Sequence, residues 1–102
     1  MERITIRKEL GMLVDQLRSQ KNPPLLNLRI GPGDSSIMVS GEPGNTQTQG
    51  TTLSFVIQYD EKEDTFFTYP GNISGSFDDA KERLIYWYMN GGACLENGPG
   101  RI

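Results

Sequence analysis

The segment LSFVIQYDEKEDTFFTY, residues 53–69, decides the fold, because it joins two strand patterns through a short polar turn. In its first half the side chains alternate with a period of two, the signature of a strand. One face of this strand carries Leu53, Phe55, Ile57 and Tyr59. The second half, TFFTY, reads as a shorter strand that Pro70-Gly71 ends. We therefore predict a β-hairpin whose tip is the acidic run of residues 60–64.

Helical periodicity lies on either side of the strand patterns. The first helix is predicted at about residues 6–20, with Thr5 as its N-cap. Its apolar stripe is Ile6, Leu10, Leu13, Val14 and Leu17. A second helix is predicted to follow Ser76, since Ser76 and Asp79 have the spacing of a capping box. Its apolar stripe is Phe77, Ala80, Leu84, Trp87 and Tyr88, and Asn90-Gly91 ends it.

Two further strands are predicted between the first helix and the hairpin. LLNLRI at 25–30 places Leu26, Leu28 and Ile30 on one face, and SIMVS at 36–40 follows a turn rich in glycine. The order α-β-β-β-β-α has no helix between successive strands. We therefore predict an α+β fold, in which a four-stranded antiparallel sheet carries both helices on one face.

The 102 residues fit one domain, because domains cluster near roughly 100–150 residues. No internal repeat or long linker divides residues 1–102. Residues 42–51 are polar and rich in Gly, Gln and Thr, so we expect a flexible loop there. The tail at about 91–102 is expected to be irregular or to add a short edge strand.

The residue types present argue against metal and cofactor chemistry. The chain has no histidine and one cysteine, Cys94, so it cannot assemble a common zinc site or an internal disulfide. The glycines of Gly31-Pro32-Gly33 lack the Gly-Lys-Ser/Thr ending of a phosphate-binding loop. We expect no cofactor, no metal site and no catalytic residues.

Charge is distributed unevenly along the chain, whose net charge is −3. Residues 1–30 carry six basic and three acidic side chains, whereas residues 31–102 carry four basic and ten acidic ones. A nucleic-acid partner needs a Lys/Arg-rich face, so direct nucleic-acid binding is disfavoured. No apolar run approaches a membrane span, and a charged N-terminus is unlike a signal peptide, so we expect a cytoplasmic location and no membrane contact.

The candidate binding residues are acidic and aromatic. Asp60, Glu61, Glu63 and Asp64 are expected to be solvated at the hairpin tip, where they can act on a partner only through charge. Tyr69 and Tyr86 complete the set of partner-binding candidates, since tyrosine beside acidic residues is typical of interfaces. Coverage of Tyr86 by the C-terminal tail is an equally good interpretation.

Three stretches carry a resemblance to a known family: VDQLRSQKNPPLLNLRIG at 14–31, TTLSFVIQYDEKEDTFFTYPG at 51–71 and SFDDAKERLIYWYMNGG at 76–92. In pattern and order they resemble the small immunity proteins of bacterial polymorphic and contact-dependent toxin systems, particularly the family that neutralises deaminase and nuclease toxins. Family members often end in a strand with a tryptophan, whereas this chain ends in GACLENGPGRI.

The resemblance implies a non-enzymatic inhibitor that binds and occludes a basic bacterial toxin, with an acidic surface that speeds association. A phage-encoded inhibitor of a host defence enzyme would need the same kind of surface. An enzyme or a small-ligand-binding domain would instead need a concave pocket with convergent polar groups. The sequence leaves these alternatives open, and it does not determine the oligomeric state.

Overall fold

One antiparallel sheet and two helices make up the part of the chain that the computed structural model describes, residues 1–44 and 52–92. The elements are α1 (Arg3–Arg18), β1 (Leu25–Ile30), β2 (Ser36–Pro43), β3 (Leu53–Asp60), β4 (Thr65–Tyr69), β5 (Ile73–Gly75) and α2 (Phe77–Met89). The strands lie in the order β1-β2-β3-β4-β5, so every strand pairs with its neighbour in sequence. The predicted α+β fold is confirmed, with the short β5 as a fifth strand.

Both helices pack against the same face of the sheet. The buried side chains come from both helices and from β1–β4, and they form one cluster: Ile6, Leu10, Val14, Leu17, Leu25, Leu28, Ile37, Val39, Phe55, Ile57, Phe66, Ala80, Leu84, Trp87 and Tyr88. The Tyr88 hydroxyl donates a hydrogen bond of 2.9 Å to the carbonyl of Leu17, so α2 also satisfies a carbonyl in the last turn of α1. The alternation predicted for β3 and the helical stripes therefore agree with the core.

Helix α2 begins at the predicted capping box. The Ser76 hydroxyl accepts a hydrogen bond from the backbone N–H of Asp79, and the Asp79 carboxylate accepts one from the N–H of Ser76. These hydrogen bonds lower the pKa of Asp79. The two contacts satisfy donors that would otherwise lack partners at the helix start, and they therefore stabilise the first turn of α2.

Strand β1 differs from its prediction because it contains a β-bulge. Asn27 has a positive φ of 54°, and the register between β1 and β2 shifts between Leu26 and Arg29. The extra residue reverses the side-chain alternation, so Leu25 and Leu28 are buried while Leu26 is 43% exposed on the other face. The prediction that Leu26 and Leu28 share a face is wrong.

The turn between β1 and β2 is fixed by its backbone and by an arginine of α1. Gly33 has a φ of 112°, and a Cβ there would lie 2.8 Å from the Ser36 carbonyl oxygen, so only glycine fits. The Arg7 guanidinium donates hydrogen bonds of 2.7 and 2.8 Å to the carbonyls of Gly31 and Gly33. These two glycines therefore serve as a structural turn.

Two element boundaries also differ from the sequence predictions. Helix α1 starts at Arg3 rather than near residue 6, and its N-cap, Glu2, makes no side-chain capping hydrogen bond. Strand β2 continues to Pro43, into the segment predicted as loop. The remainder of that loop and the tail beyond Gly92 lie outside the described residues. Within the described ranges, neither helix has the length and apolar character needed to cross a membrane.

Candidate functional site

The hairpin tip, residues 60–64, is ordered by one of its own carboxylates. Asp60 Oδ1 accepts hydrogen bonds from the backbone N–H groups of Lys62 at 3.0 Å and Glu63 at 3.3 Å. Asp64 then turns the chain into β4 with a positive φ of 52°. Asp60 thus has a structural role in the turn, as is common for Asp side chains that bond to the backbone two residues ahead.

The carboxylates of Glu61 and Asp64 also have partners within the molecule, on α1, on β3 and at the N-terminus. Glu61 Oε1 lies 2.8 Å from Arg3 Nη2, and Asp64 Oδ1 accepts a hydrogen bond of 2.6 Å from the Tyr59 hydroxyl. The Met1 α-amino group also lies 3.1 Å from Asp64 Oδ1. Exposed ion pairs of this kind contribute little to stability, because water and salt screen them. Within the described residues, Glu63 is the tip carboxylate without a hydrogen bond or ion pair.

The contact between Tyr59 and Asp64 shifts the pKa values of both groups. The hydrogen bond to Asp64, followed by burial and the nearby negative charge, raises the pKa of Tyr59 to about 12. The same hydrogen bond, with help from the Met1 amino group, lowers the pKa of Asp64. Tyr59 is neutral in the pair, so the stability it contributes is complete below pH 10.0 and is lost as the pH rises towards about 12.

Substituting Asn for Asp64 is therefore expected to bring the pKa of Tyr59 from about 12 back towards 10.0, because an amide oxygen is a weaker acceptor than a carboxylate and the negative charge is removed. Tyrosinate absorbance against pH measures this change. A Tyr59→Phe variant identifies the transition that belongs to Tyr59, which matters because burial also raises the pKa of Tyr88. Identical titrations of the wild type and Asp64→Asn would contradict the assignment.

The sheet face that points away from both helices, here called the open face, has an uncharged row of side chains across its centre. Met38 is paired with Val56, and Val56 with Tyr69, so these three side chains form one row across β2, β3 and β4. Met38 is 48% exposed and Tyr69 is 55% exposed. The uncharged positions of β2–β5 on the open face are Ser36, Met38, Ser40, Ser54, Val56, Gln58, Thr65, Phe67, Tyr69 and Ser74, and the same face carries the charged residues Arg29, Glu42 and Asp60.

Charged groups lie at the margins of the open face. On the β1 side, Arg29 Nη1 is 3.5 Å from Glu42 Oε2, so that margin is internally neutralised. Leu26 lies beside this pair because of the β1 bulge. At one end of the strands, β3 and β4 lead into the hairpin tip. The open face is thus an apolar and hydroxyl-rich surface with an acidic hairpin at one end.

A shallow, open depression of about 710 Å³ lies where the open face meets the hairpin tip. It is lined by Gln58, Tyr59, Asp60, Glu61, Lys62, Thr65, Phe67 and Ser74. Polar groups and the half-buried side chain of Phe67 both contribute to its surface. Its openness does not favour a small-molecule site, since such sites usually enclose most of their ligand.

Tyr86 belongs to a different surface. It lines a smaller concavity of about 250 Å³ on α2, together with Asp79, Glu82 and Arg83. The Nη1 atom of Arg83 is buried there without a hydrogen-bond partner among the described residues. Because α2 covers the opposite face of the sheet, Tyr86 and Tyr69 cannot form one flat interface.

The structure thus brings four of the six candidate residues together, and it separates the other two. Asp60, Glu61, Glu63 and Asp64 share the hairpin tip, Tyr69 lies on the open face and Tyr86 on α2. Sequence reasoning did not single out Met38, Val56 and Phe67. Their alternation with core residues was the available signal, because side chains between buried positions of a strand must point to the other face.

No metal-binding group of three or more His, Cys, Asp or Glu side chains occurs within residues 1–44 and 52–92. Comparisons with known proteins add no further assignment. No family model, curated protein or solved structure matches the chain.

Proposed function

We propose that this chain is a non-enzymatic, cytoplasmic protein-binding inhibitor, most simply an immunity protein that occludes a basic bacterial toxin. The observation that carries the proposal is the open face, whose central row of Met38, Val56 and Tyr69 is uncharged, while its charged residues Arg29, Glu42 and Asp60 lie towards its margins. Interface centres are depleted in charge and enriched in Tyr, Phe and Met. Met38, Phe67 and Tyr69 give the open face that composition.

The size of the open face favours a different protein over a second copy as its partner. Five strands at about 4.8 Å spacing and five residues at about 3.3 Å give roughly 400 Å² of projected area. A standard interface buries about 800 Å² of accessible surface on each partner. A larger partner that also reaches the hairpin tip would bury more surface than a second copy confined to the open face.

The edges of the sheet do not favour strand addition by a partner. On β1, Arg18 Nη1 donates to the Leu28 carbonyl at 3.3 Å and Arg29 Nη1 donates to the Asn27 carbonyl at 3.1 Å. The bulge at Asn27 further distorts that edge, and the opposite edge strand, β5, has only three residues. Bulges, basic side chains and short strands are the usual protections of a sheet edge.

Charge supports a basic partner. The chain has a net charge of −3, and Glu63 extends from the hairpin tip without an internal ion pair among the described residues. Opposite charge on a partner would accelerate association, and salt would weaken that effect. Glu63 is therefore the cleanest position for testing electrostatic steering, because Glu61 is already bound to Arg3.

A pulldown from a lysate of the organism that encodes the chain tests the proposal. We expect one basic protein to be captured. Capture should be weaker at high salt, and also weaker by Glu63→Lys, because its association with the partner is slower. Glu82→Lys makes the same charge change on α2 and is the matched control, with a smaller expected effect. Salt-independent capture, or equal effects of both variants, would contradict the electrostatic part of the proposal.

The other candidate functions predict different results. Stabilisation of the chain by a metabolite, with no protein captured, would overturn the proposal in favour of a small-ligand-binding or enzymatic domain. Capture of a host defence enzyme would instead assign the chain as a phage-encoded inhibitor that acts through the same surface.

A further inference from the structure

We propose that the depression between the open face and the hairpin tip receives an arginine side chain of the partner protein. The inference rests on the proposed function, and it names the group that anchors the partner at this end of the interface. Two properties of the depression carry it: an aromatic side chain with polar neighbours and a carboxylate held in a fixed orientation.

The aromatic side chain is that of Phe67. This side chain is half-buried. It lies between Gln58 on β3 and Ser74 on β5, its direct neighbours in the sheet, and all three line the depression. A guanidinium group is planar, binds the face of an aromatic ring and is less strongly hydrated than an ammonium group. Phe67 and its hydrogen-bonding neighbours therefore suit arginine better than an apolar or acidic side chain.

The carboxylate is that of Asp60. Its Oδ1 atom is held by the backbone N–H groups of Lys62 and Glu63, which fixes the orientation of the whole group. Its Oδ2 atom accepts no hydrogen bond within the described ranges. A fixed carboxylate with a free oxygen is a preorganised acceptor, and charge-assisted hydrogen bonds to guanidinium are among the stronger polar contacts in proteins.

The same hairpin tip already binds one guanidinium. The guanidinium group of Arg3, at the start of α1, lies 2.8 Å from the Glu61 carboxylate, on the side of the tip that faces this helix. Lys62 also lines the depression, and its positive charge opposes a second cation. Removing that charge with Lys62→Met should therefore strengthen arginine binding about two- to threefold.

The experiment titrates the full chain with N-acetyl-arginine amide and follows backbone amide shifts by NMR. A charge-assisted hydrogen bond plus a cation–π contact corresponds to a Kd of roughly 1–30 mM for the isolated group. We expect shifts centred on Gln58, Asp60, Thr65, Phe67 and Ser74. N-acetyl-citrulline amide, the uncharged analogue, is the matched control ligand. Its affinity should be at least about fivefold lower.

Two variants test the residues that carry the site. Asp60→Asn keeps an acceptor for the turn while removing the charge, and it should weaken arginine binding by about 5- to 10-fold. Phe67→Leu keeps an apolar side chain and removes the ring, with an expected loss of about two- to fivefold. Unfolding curves of both variants show whether the fold is retained.

The inference is overturned if arginine amide gives no localised shifts, if citrulline amide binds equally, or if Asp60→Asn leaves binding unchanged. Such a result is separable from failure of the proposed function. Partner capture that depends on Met38 but not on Asp60 would keep the inhibitor proposal and reject the arginine site. Arginine binding in the depression without any captured protein would keep the site and reject the inhibitor proposal.

Discussion

Replacing Trp87 with alanine is expected to lower the free energy of unfolding by about 3–5 kcal/mol. Trp87 is 1% exposed, and its ring centroid lies 5.6 Å from that of Phe55, so it joins α2 to the centre of the sheet. Truncation removes the largest side chain of the core and leaves a cavity that the sheet cannot fill. Urea unfolding followed by far-UV circular dichroism measures the loss, because the variant lacks the only tryptophan.

Two variants on the same helix control this result. Met89→Ala, at a position that is 49% exposed, should change stability by no more than about 0.5 kcal/mol. Trp87→Phe should lose less than Trp87→Ala, since it retains an aromatic ring, and it provides a folded variant if alanine is not tolerated. A loss below about 1 kcal/mol for Trp87→Ala would contradict the described packing of α2 on the sheet.

Replacing Met38 with lysine is expected to weaken binding to the captured partner at least about 30-fold. Met38 lies in the row with Val56 and Tyr69, so its side chain would be at the centre of the proposed interface. A lysine there would have to be buried without a countercharge or would hold the two surfaces apart. Calorimetric titration of the purified partner measures the change in Kd.

Met12→Lys provides the matched control for this substitution. Met12 is 56% exposed on α1, in the other layer of the molecule, so the chemical change and the starting exposure are nearly the same. It should alter the affinity by less than about twofold. The proposed interface is rejected if Met12→Lys weakens binding as much as Met38→Lys, or if Met38→Lys binds as tightly as the wild type.

The strongest sequence patterns predicted the fold well because they rest on packing. The period of two in β3 separated the core side of that strand from the open side. The helical stripes matched the buried residues of both helices, and the spacing of Ser76 and Asp79 located the start of α2. Each pattern is local in sequence and places the apolar side chains in the core, so local preference and tertiary packing agree.

The β1 bulge could not be predicted in the same way. An asparagine with positive φ reverses the alternation of the strand, and nothing in LLNLRI requires Asn27 to adopt it. The early start of α1 has a similar cause: Glu2 offers no capping side chain, while Arg3 is paired with Glu61 of the distant hairpin. A contact between remote parts of the chain thus accompanies the early start of α1.

The candidate site was only partly visible in the sequence for the same reason. The acidic residues were easy to locate at a hairpin tip, but their partners, Arg3 and Tyr59, depend on the fold. These contacts leave Glu63 as the tip carboxylate without an internal partner in the described chain. The open face can be identified only when it is known that both helices pack on one side of the sheet. For this reason the proposed interface includes the strands beside the hairpin tip as well as the tip itself.

Methionine oxidation in the presence of the captured partner tests the open face most directly. The four methionines, Met1, Met12, Met38 and Met89, are 45%, 56%, 48% and 49% exposed, so they should react similarly with peroxide in the free chain. In the complex, peptide mass spectrometry should find Met38 protected while Met12 and Met89 remain reactive. Protection of Met12 or Met89, with Met38 oxidised as fast as in the free chain, would contradict binding through the open face.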